Sequence, residues 1–241
     1  MNITKQIEAR IKNFPLGTTF GYKDLNIPSE KFTTAAKAME RLLKKGVIKK
    51  LAKGTFYKPK QTIFGELKPD ERTIIKPYLF KNDKRIAYIT GTSLYNQLGL
   101  TTQVPNQIKI ASLKKRIYIN KGNVKAKPVK SYVEVSDNNF YLLGLLDALK
   151  DFNKIPDLNS SEAIKSLTNL IMELEDKELQ NLIKYALKYP PRARAFLGAL
   201  LENMNSNENY GILKKTLNPL TGYSFRIKEN DLPTIKNWNI R

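Results

Sequence analysis

The chain has 241 residues, 42 Lys and Arg against 22 Asp and Glu, a formal net charge of +20, and neither Cys nor His. Disulfides, zinc sites built on thiolate or imidazole and a histidine general base are therefore excluded, and the positive surplus argues for a polyanionic partner. No apolar run approaches the roughly 18 residues of a membrane span, and the start lacks the apolar core of a signal peptide, so the sequence predicts a soluble, cytoplasmic protein with no membrane partner.

The charge is one-sided. Residues 1–60 hold 14 basic and 4 acidic side chains, residues 61–136 hold 14 and 5, and residues 137–241 hold 14 and 13. A basic half joined to a neutral half suggests a nucleic-acid face followed by a partner-binding or core-forming part.

In chain order, Ile7 and Ile11 mark a helix over Thr4–Phe14, with Thr4 as its cap. A short strand at Thr18–Phe20 and a short helix at Gly21–Leu25 follow. Asn26-Ile-Pro28 turns into a long helix, Ser29–Lys45. Its apolar stripe is Phe32, Ala35, Ala36, Met39, Leu42 and Leu43, at the spacing of a buried face. The opposite face is Glu30, Thr33, Thr34, Lys37, Ala38 and Arg41, small or basic as a groove-reading helix requires. Gly46 sits where a left-handed C′ residue is wanted. Val47–Leu51 and Thr55–Lys58 then read as a hairpin around Ala52-Lys53-Gly54. Helix plus lysine-tipped hairpin is the pattern of a winged helix-turn-helix. Its DNA-contact candidates are Lys31, Thr33, Thr34, Lys37 and Arg41 on the helix, and Lys49, Lys50, Lys53 and Thr55 on the wing, where lysines hold phosphates. Lys121-Gly-Asn-Val-Lys-Ala-Lys127 either extends this basic face or is a solvated turn.

Residues 61–71 read as a linker containing a short strand at 61–64. Residues 72–136 read as a small mixed α/β part: a helix at Thr73–Leu79, a strand at Arg85–Thr90, a helix at Gly91–Leu98, strands at Gln107–Ser112 and Lys115–Ile119, a Lys/Gly turn, and a strand at Lys130–Val135. Residues 137–241 read as mainly helical, with helices at Phe140–Phe152, Ser161–Glu173, Asp176–Leu187 and Arg192–Leu201 and a last strand at Tyr223–Ile227. The fold class expected is α+β: an N-terminal winged helix-turn-helix, a mixed α/β unit and a C-terminal helical region.

Catalytic chemistry finds little support. Gly91-Thr-Ser93 resembles the start of a nucleotidyltransferase site, but such a site needs two metal-binding carboxylates on a nearby strand. No Asp or Glu occurs between Lys84 and Val133. Asp147 and Asp151, and likewise Glu175-Asp-Lys177, read as solvated helix faces. No phosphate-binding glycine loop appears. No enzyme, metal or cofactor is expected.

Several stretches together resemble the AbiEi-like antitoxins of type IV, abortive-infection toxin–antitoxin systems. They are Lys53-Gly-Thr-Phe-Tyr57, Tyr88-Ile-Thr-Gly-Thr-Ser-Leu-Tyr95 with Leu98-Gly-Leu-Thr-Thr-Gln-Val-Pro105, and Arg192-Ala-Arg-Ala-Phe-Leu-Gly-Ala-Leu-Leu201 with Leu217-Asn-Pro-Leu220. The resemblance covers most of the chain, and the middle stretch is its most specific part. It implies phage defence. The N-terminal domain would bind operator inverted repeats in double-stranded DNA and repress its own operon. The C-terminal domain would counter a nucleotidyltransferase toxin of the AbiEii type without a tight, permanent complex. The alternatives are a stand-alone winged-helix regulator whose C-terminal domain senses a ligand or binds a partner, and a nuclease.

Overall fold

The computed structural model describes residues 3–63, 65–67 and 69–241. It is a mixed α/β protein of helices and several small sheets, and it divides into two compact units. The first comprises Met1–Pro77 with Ile119–Lys125, the second Tyr78–Tyr118 with Ala126–Arg241. The boundary thus falls within a helix at Pro77/Tyr78, not in a 61–71 linker, and one later segment returns to the first unit.

The first unit opens with α1 (Ile3–Asn13). Thr4 is the second residue of the helix as described. Next come β1 (Thr19–Gly21), a 3-10 turn over Tyr22–Leu25, a second 3-10 turn over Ser29–Lys31, and α2 (Phe32–Lys44). β2 (Lys49–Ala52) and β3 (Thr55–Tyr57) form a hairpin, and the sheet order is β1-β3-β2, antiparallel throughout. Ile7 and Ile11 of α1, Ala35, Met39 and Leu42 of α2, Ile48, and Phe20 opposite Phe56 in the sheet close one core. Burying a side chain of this size contributes about 1.5–3 kcal/mol. α2 ends at Gly46, whose φ is +70°. Its N–H donates to Leu43 O at 3.0 Å, and Val47 N–H donates to Leu42 O at 3.1 Å. This pair of bonds satisfies the last carbonyls and turns the chain into the hairpin.

The supposed linker is a hairpin of its own, β4 (Lys60–Thr62) paired antiparallel with β5 (Gly65–Leu67). The strand expected at 61–64 is therefore shorter and shifted, and its last residue, Phe64, lies outside the described residues. α3 (Glu71–Leu79) follows and carries Pro77 in its last turn.

The second unit begins with a two-residue hairpin, β6 (Phe80–Lys81) and β7 (Lys84–Arg85). β8 (Tyr88–Thr90) leads into α4 (Thr92–Gln97) and then β9 (Ile108–Ser112), which pairs antiparallel with β8. The strand expected at Lys115–Ile119 is a loop up to Tyr118, and β10 is Ile119–Lys121. The strand expected at Lys130–Val135 lies earlier: β11 is Val124–Lys130, and its Ala126–Lys130 half runs parallel to β9. Val124 and Ala126 are buried while Lys125 and Lys127 are exposed. That is strand alternation, hidden in the sequence by lysines and by Pro128.

The helices are α5 (Phe140–Asp151), α6 (Ser160–Met172), α7 (Asp176–Ala186), α8 (Pro191–Asn203) and α9 (Gly211–Lys215). α5 and α8 are buried nearly all round, which explains their dense apolar runs. Pro191 occupies the first turn of α8, where its missing N–H costs nothing. The strand expected at Tyr223–Ile227 makes a single bridge, Tyr223 with Ile240, and its alternate residues Tyr223, Phe225 and Ile227 face the core. Trp238, in a 3-10 turn over Pro233–Trp238, packs flat on α8 at Gly198, where a Cβ would lie 2.1 Å from the indole.

Candidate nucleic-acid interface

At about 100° per residue, Thr33, Thr34, Lys37, Arg41 and Lys44 fall on one arc of α2, and all five are exposed. Lys31 precedes them on the 3-10 turn, also exposed. The opposite arc, Ala35, Ala38, Met39 and Leu42, is buried. Two residues are exchanged relative to expectation. Ala38 is buried at the edge of the core, and Phe32 is half exposed, its ring 4.7 Å from that of Tyr22. Ala36 is only half-buried. Lys44 carries the basic face one turn beyond Arg41, where the sequence reading ends it. Its position seven residues after Lys37 is the signal that would have found it.

The hairpin is less uniform than its composition suggests. Lys49 stands opposite Tyr57 in the β2–β3 register, and both engage Glu66 of β5. Lys49 forms an ion pair with that carboxylate, and the Tyr57 hydroxyl donates to it at 2.6 Å. Lys49 and then Tyr57 hold the Glu66 carboxyl below its usual range, while burial, reinforced by Glu66, pushes the Tyr57 phenol up to about 12. Lys49 is thus tied to the neighbouring hairpin. Lys58 Nζ is also committed, donating to Lys12 O and Phe14 O at 2.7 and 2.9 Å, where it caps α1. Arg10 donates to Leu25 O. Among the described residues, Lys31, Lys37, Arg41, Lys44, Lys50 and Lys53 make no ion pair.

The segment 119–125 adds to this unit. Lys121 Nζ donates to Thr55 Oγ1 at 2.7 Å, beside the hairpin turn, and Asn123 Nδ2 donates to Glu71 Oε1 at 3.2 Å. Thr55 is therefore occupied by a lysine from sixty-six residues away. Of the nine candidate residues, seven are exposed on the 3-10 turn, α2 and the hairpin, and two, Lys49 and Thr55, are drawn into bonds within the unit.

The most specific motif of the sequence, Tyr88 to Tyr95, has a different place. Tyr88 Oη and Thr90 Oγ1 donate to Asp147 Oδ2 at 2.8 and 2.7 Å, and Lys150 Nζ donates to Asp147 Oδ1 at 2.6 Å. Tyr95 Oη donates to Asp151 Oδ2 at 3.0 Å. Asp147 is 1% exposed, so the reading of Asp147 and Asp151 as a solvated face is wrong: α5 carries Asp147 into the core, where β8 supplies the hydroxyls. Burial is the largest influence on the Lys150 ammonium and lowers it, but the charge and hydrogen bond of Asp147, with Asp151 and Tyr132, together outweigh it, and the net shift is upward. Burial and Asp147 raise the Tyr88 phenol. With every partner satisfied, this network holds α5 to the sheet.

Among the described residues no cluster of three or more Asp or Glu could hold a metal ion, and no helix is long and apolar enough to cross a membrane.

A basic unit built on one exposed cationic helix and a lysine-tipped hairpin, joined to a larger α/β unit with its own core, defines the class of protein. The chain belongs to a family of unknown function (DUF6088), whose profile matches residues 6–179. It is similar to the RV2827C protein from Mycobacterium tuberculosis, known from a crystal structure, with a TM-score of 0.54 and 14% identity over 93% of this chain and 85% of that one. At that identity the likeness concerns the fold alone. No curated protein matches the chain.

Proposed function

We infer that the first unit is a winged helix-turn-helix that binds double-stranded DNA and that the protein represses its own operon. The observation that carries this reading is the exposed arc Thr33, Thr34, Lys37, Arg41 and Lys44 on α2, followed directly by the β2–β3 hairpin with Lys50 and Lys53. An α-helix fits the major groove, about 12 Å wide. Arg41, Lys37 and Lys44 can each donate to the O6 and N7 of a guanine edge, Arg41 through a planar fork, and the hydroxyls of Thr33 and Thr34 reach either kind of base. The hairpin lysines hold phosphates. The antitoxin half of the reading, neutralisation of a nucleotidyltransferase toxin through the second unit, rests on the resemblance of Tyr88–Tyr95 and Arg192–Leu201 to AbiEi-like antitoxins.

Gel-shift titration with the upstream operon duplex tests the DNA reading. Lys37→Ala with Lys53→Ala is expected to weaken binding and to reduce the salt slope by about 0.9 for each phosphate that the variant no longer neutralises. Binding equal to wild type removes the site assignment. Co-expression of the same variant with a nucleotidyltransferase toxin of the AbiEii type tests the antitoxin half: rescue should persist while repression is lost.

A further inference from the structure

The second unit carries a cationic hollow that repression does not call on. After β9 ends at Ser112, the loop presents Lys114, Lys115 and Arg116 in succession, all exposed, and Ile117 anchors the loop in the interior. Parallel pairing sets Lys130, the last residue of β11, beside Ser112. The four cations therefore line one hollow of about 590 Å³, together with Tyr118, Pro128 and Val129.

Among the described residues no carboxylate lines this hollow. The neighbouring one, about 660 Å³, shares Lys114 and Lys115 but also contains Asp83, Glu134 and Asp137. There two of the cations are paired: Arg85 with Asp137 at 2.8 Å, and Lys114 with Glu134. Among the described residues Lys115, Arg116 and Lys130 have no carboxylate within 4.0 Å. Cations that line one hollow with no carboxylate among them repel one another, and an entering anion relieves the repulsion. Arg and Lys together are the side chains that hold phosphoryl oxygens, Arg through its fork of N–H donors. Tyr118 adds a second requirement. It is 67% exposed, a large aromatic face left in water beside the cations, and a nucleic-acid base stacks on such a face.

We propose that this hollow binds a phosphorylated nucleotide unit, its phosphoryl group held by Lys115, Arg116 and Lys130 and its base stacked on Tyr118. Two sources supply that chemistry: a free nucleoside triphosphate and a single strand of nucleic acid.

The test uses the full chain and three probes: ATP by calorimetric titration, inorganic tripolyphosphate by the same method, and a labelled eight-nucleotide RNA by fluorescence anisotropy. Saturable binding of ATP assigns a free nucleotide; saturable binding of the RNA alone assigns a strand. For whichever binds, Lys115→Ala with Arg116→Ala is expected to lose tenfold or more. Tyr118→Ala should lose several-fold for that probe and nothing for tripolyphosphate, with Tyr118→Phe restoring it. Lys37→Ala with Arg41→Ala, in the first unit, should leave this binding unchanged and so separates it from the DNA reading. Unaltered melting temperatures confirm that the variants fold. The proposal is overturned by absence of saturation with both ATP and RNA, by wild-type affinity in the Lys115/Arg116 variant, or by ATP binding no tighter than tripolyphosphate and indifferent to Tyr118.

Discussion

Asp147 gathers three donors of the second unit at one buried point. Its carboxylate accepts from Tyr88, Thr90 and Lys150 in a site closed to water. Removing it leaves the Lys150 ammonium, 12% exposed, with Asp151 at 3.7 Å, and takes the carboxylate from the Tyr88 and Thr90 hydroxyls. Breaking a buried pair from one side costs about 3–5 kcal/mol, so Asp147→Ala should lose roughly that in urea denaturation; a loss below about 1 kcal/mol would contradict the network. In the first unit, Glu66 and Tyr57 link two hairpins and give a pH signature. The Glu66 carboxyl titrates below its usual range in the folded state, so its stabilisation is present above the unfolded value and is lost as pH falls through the folded one. The Tyr57 phenol is raised to about 12, so its contribution is complete below about 10 and is lost as pH rises through about 12. Ultraviolet titration of wild type against Tyr57→Phe should place the missing phenol near 12, and a midpoint at the ordinary value of about 10 would deny the hydrogen bond. None of this was legible from sequence spacing. Asp147 and Asp151 stand four apart, as solvent-facing pairs do, and only the strand that brings Tyr88 and Thr90 against α5 distinguishes a buried aspartate from a wet one.

At the scale of elements, the helices with one strong stripe were legible. α2 has the expected period, and the ending at Gly46 follows because the chain must take a positive φ there to enter the hairpin. Gly46→Ala should cost about 1–2 kcal/mol, measured by thermal or urea unfolding; no change would mean that the turn does not need the left-handed conformation. α8 shows the opposite limit of tolerance. A methyl at Gly198 has no room beneath Trp238, and overpacking of this kind costs about 1–3 kcal/mol. Gly198→Ala is therefore expected to lower stability and to shift the tryptophan fluorescence. An unchanged spectrum and midpoint would contradict the packing. The strands between 113 and 135 were misplaced because lysines alternate with only small apolar residues in β11, so the period-two signal is weak, and because the loop 113–118 has the β-branched and aromatic content of a strand while making no ladder.

At the scale of the whole molecule, the charge asymmetry foretold a basic N-terminal unit, and α2 with its hairpin supplies the exposed cations. The unit's full membership was not legible. Residues 119–125 join it across a long stretch of sequence through Lys121 and Asn123, and such a return depends on tertiary pairing that local composition does not encode. The same asymmetry conceals two cationic surfaces of different design, one convex on α2, one a hollow at Lys114–Arg116. The central claim, that α2 and its hairpin bind duplex DNA, is tested most directly by fluorescence anisotropy of a labelled upstream duplex across a salt series. Lys37→Ala with Arg41→Ala should weaken binding at least tenfold and flatten the slope of log affinity against log salt by about 0.9 for each phosphate left without its cation, while Lys184→Ala with Lys188→Ala on the second unit should follow wild type. A Lys37/Arg41 variant that reproduces the wild-type affinity and slope would contradict the claim.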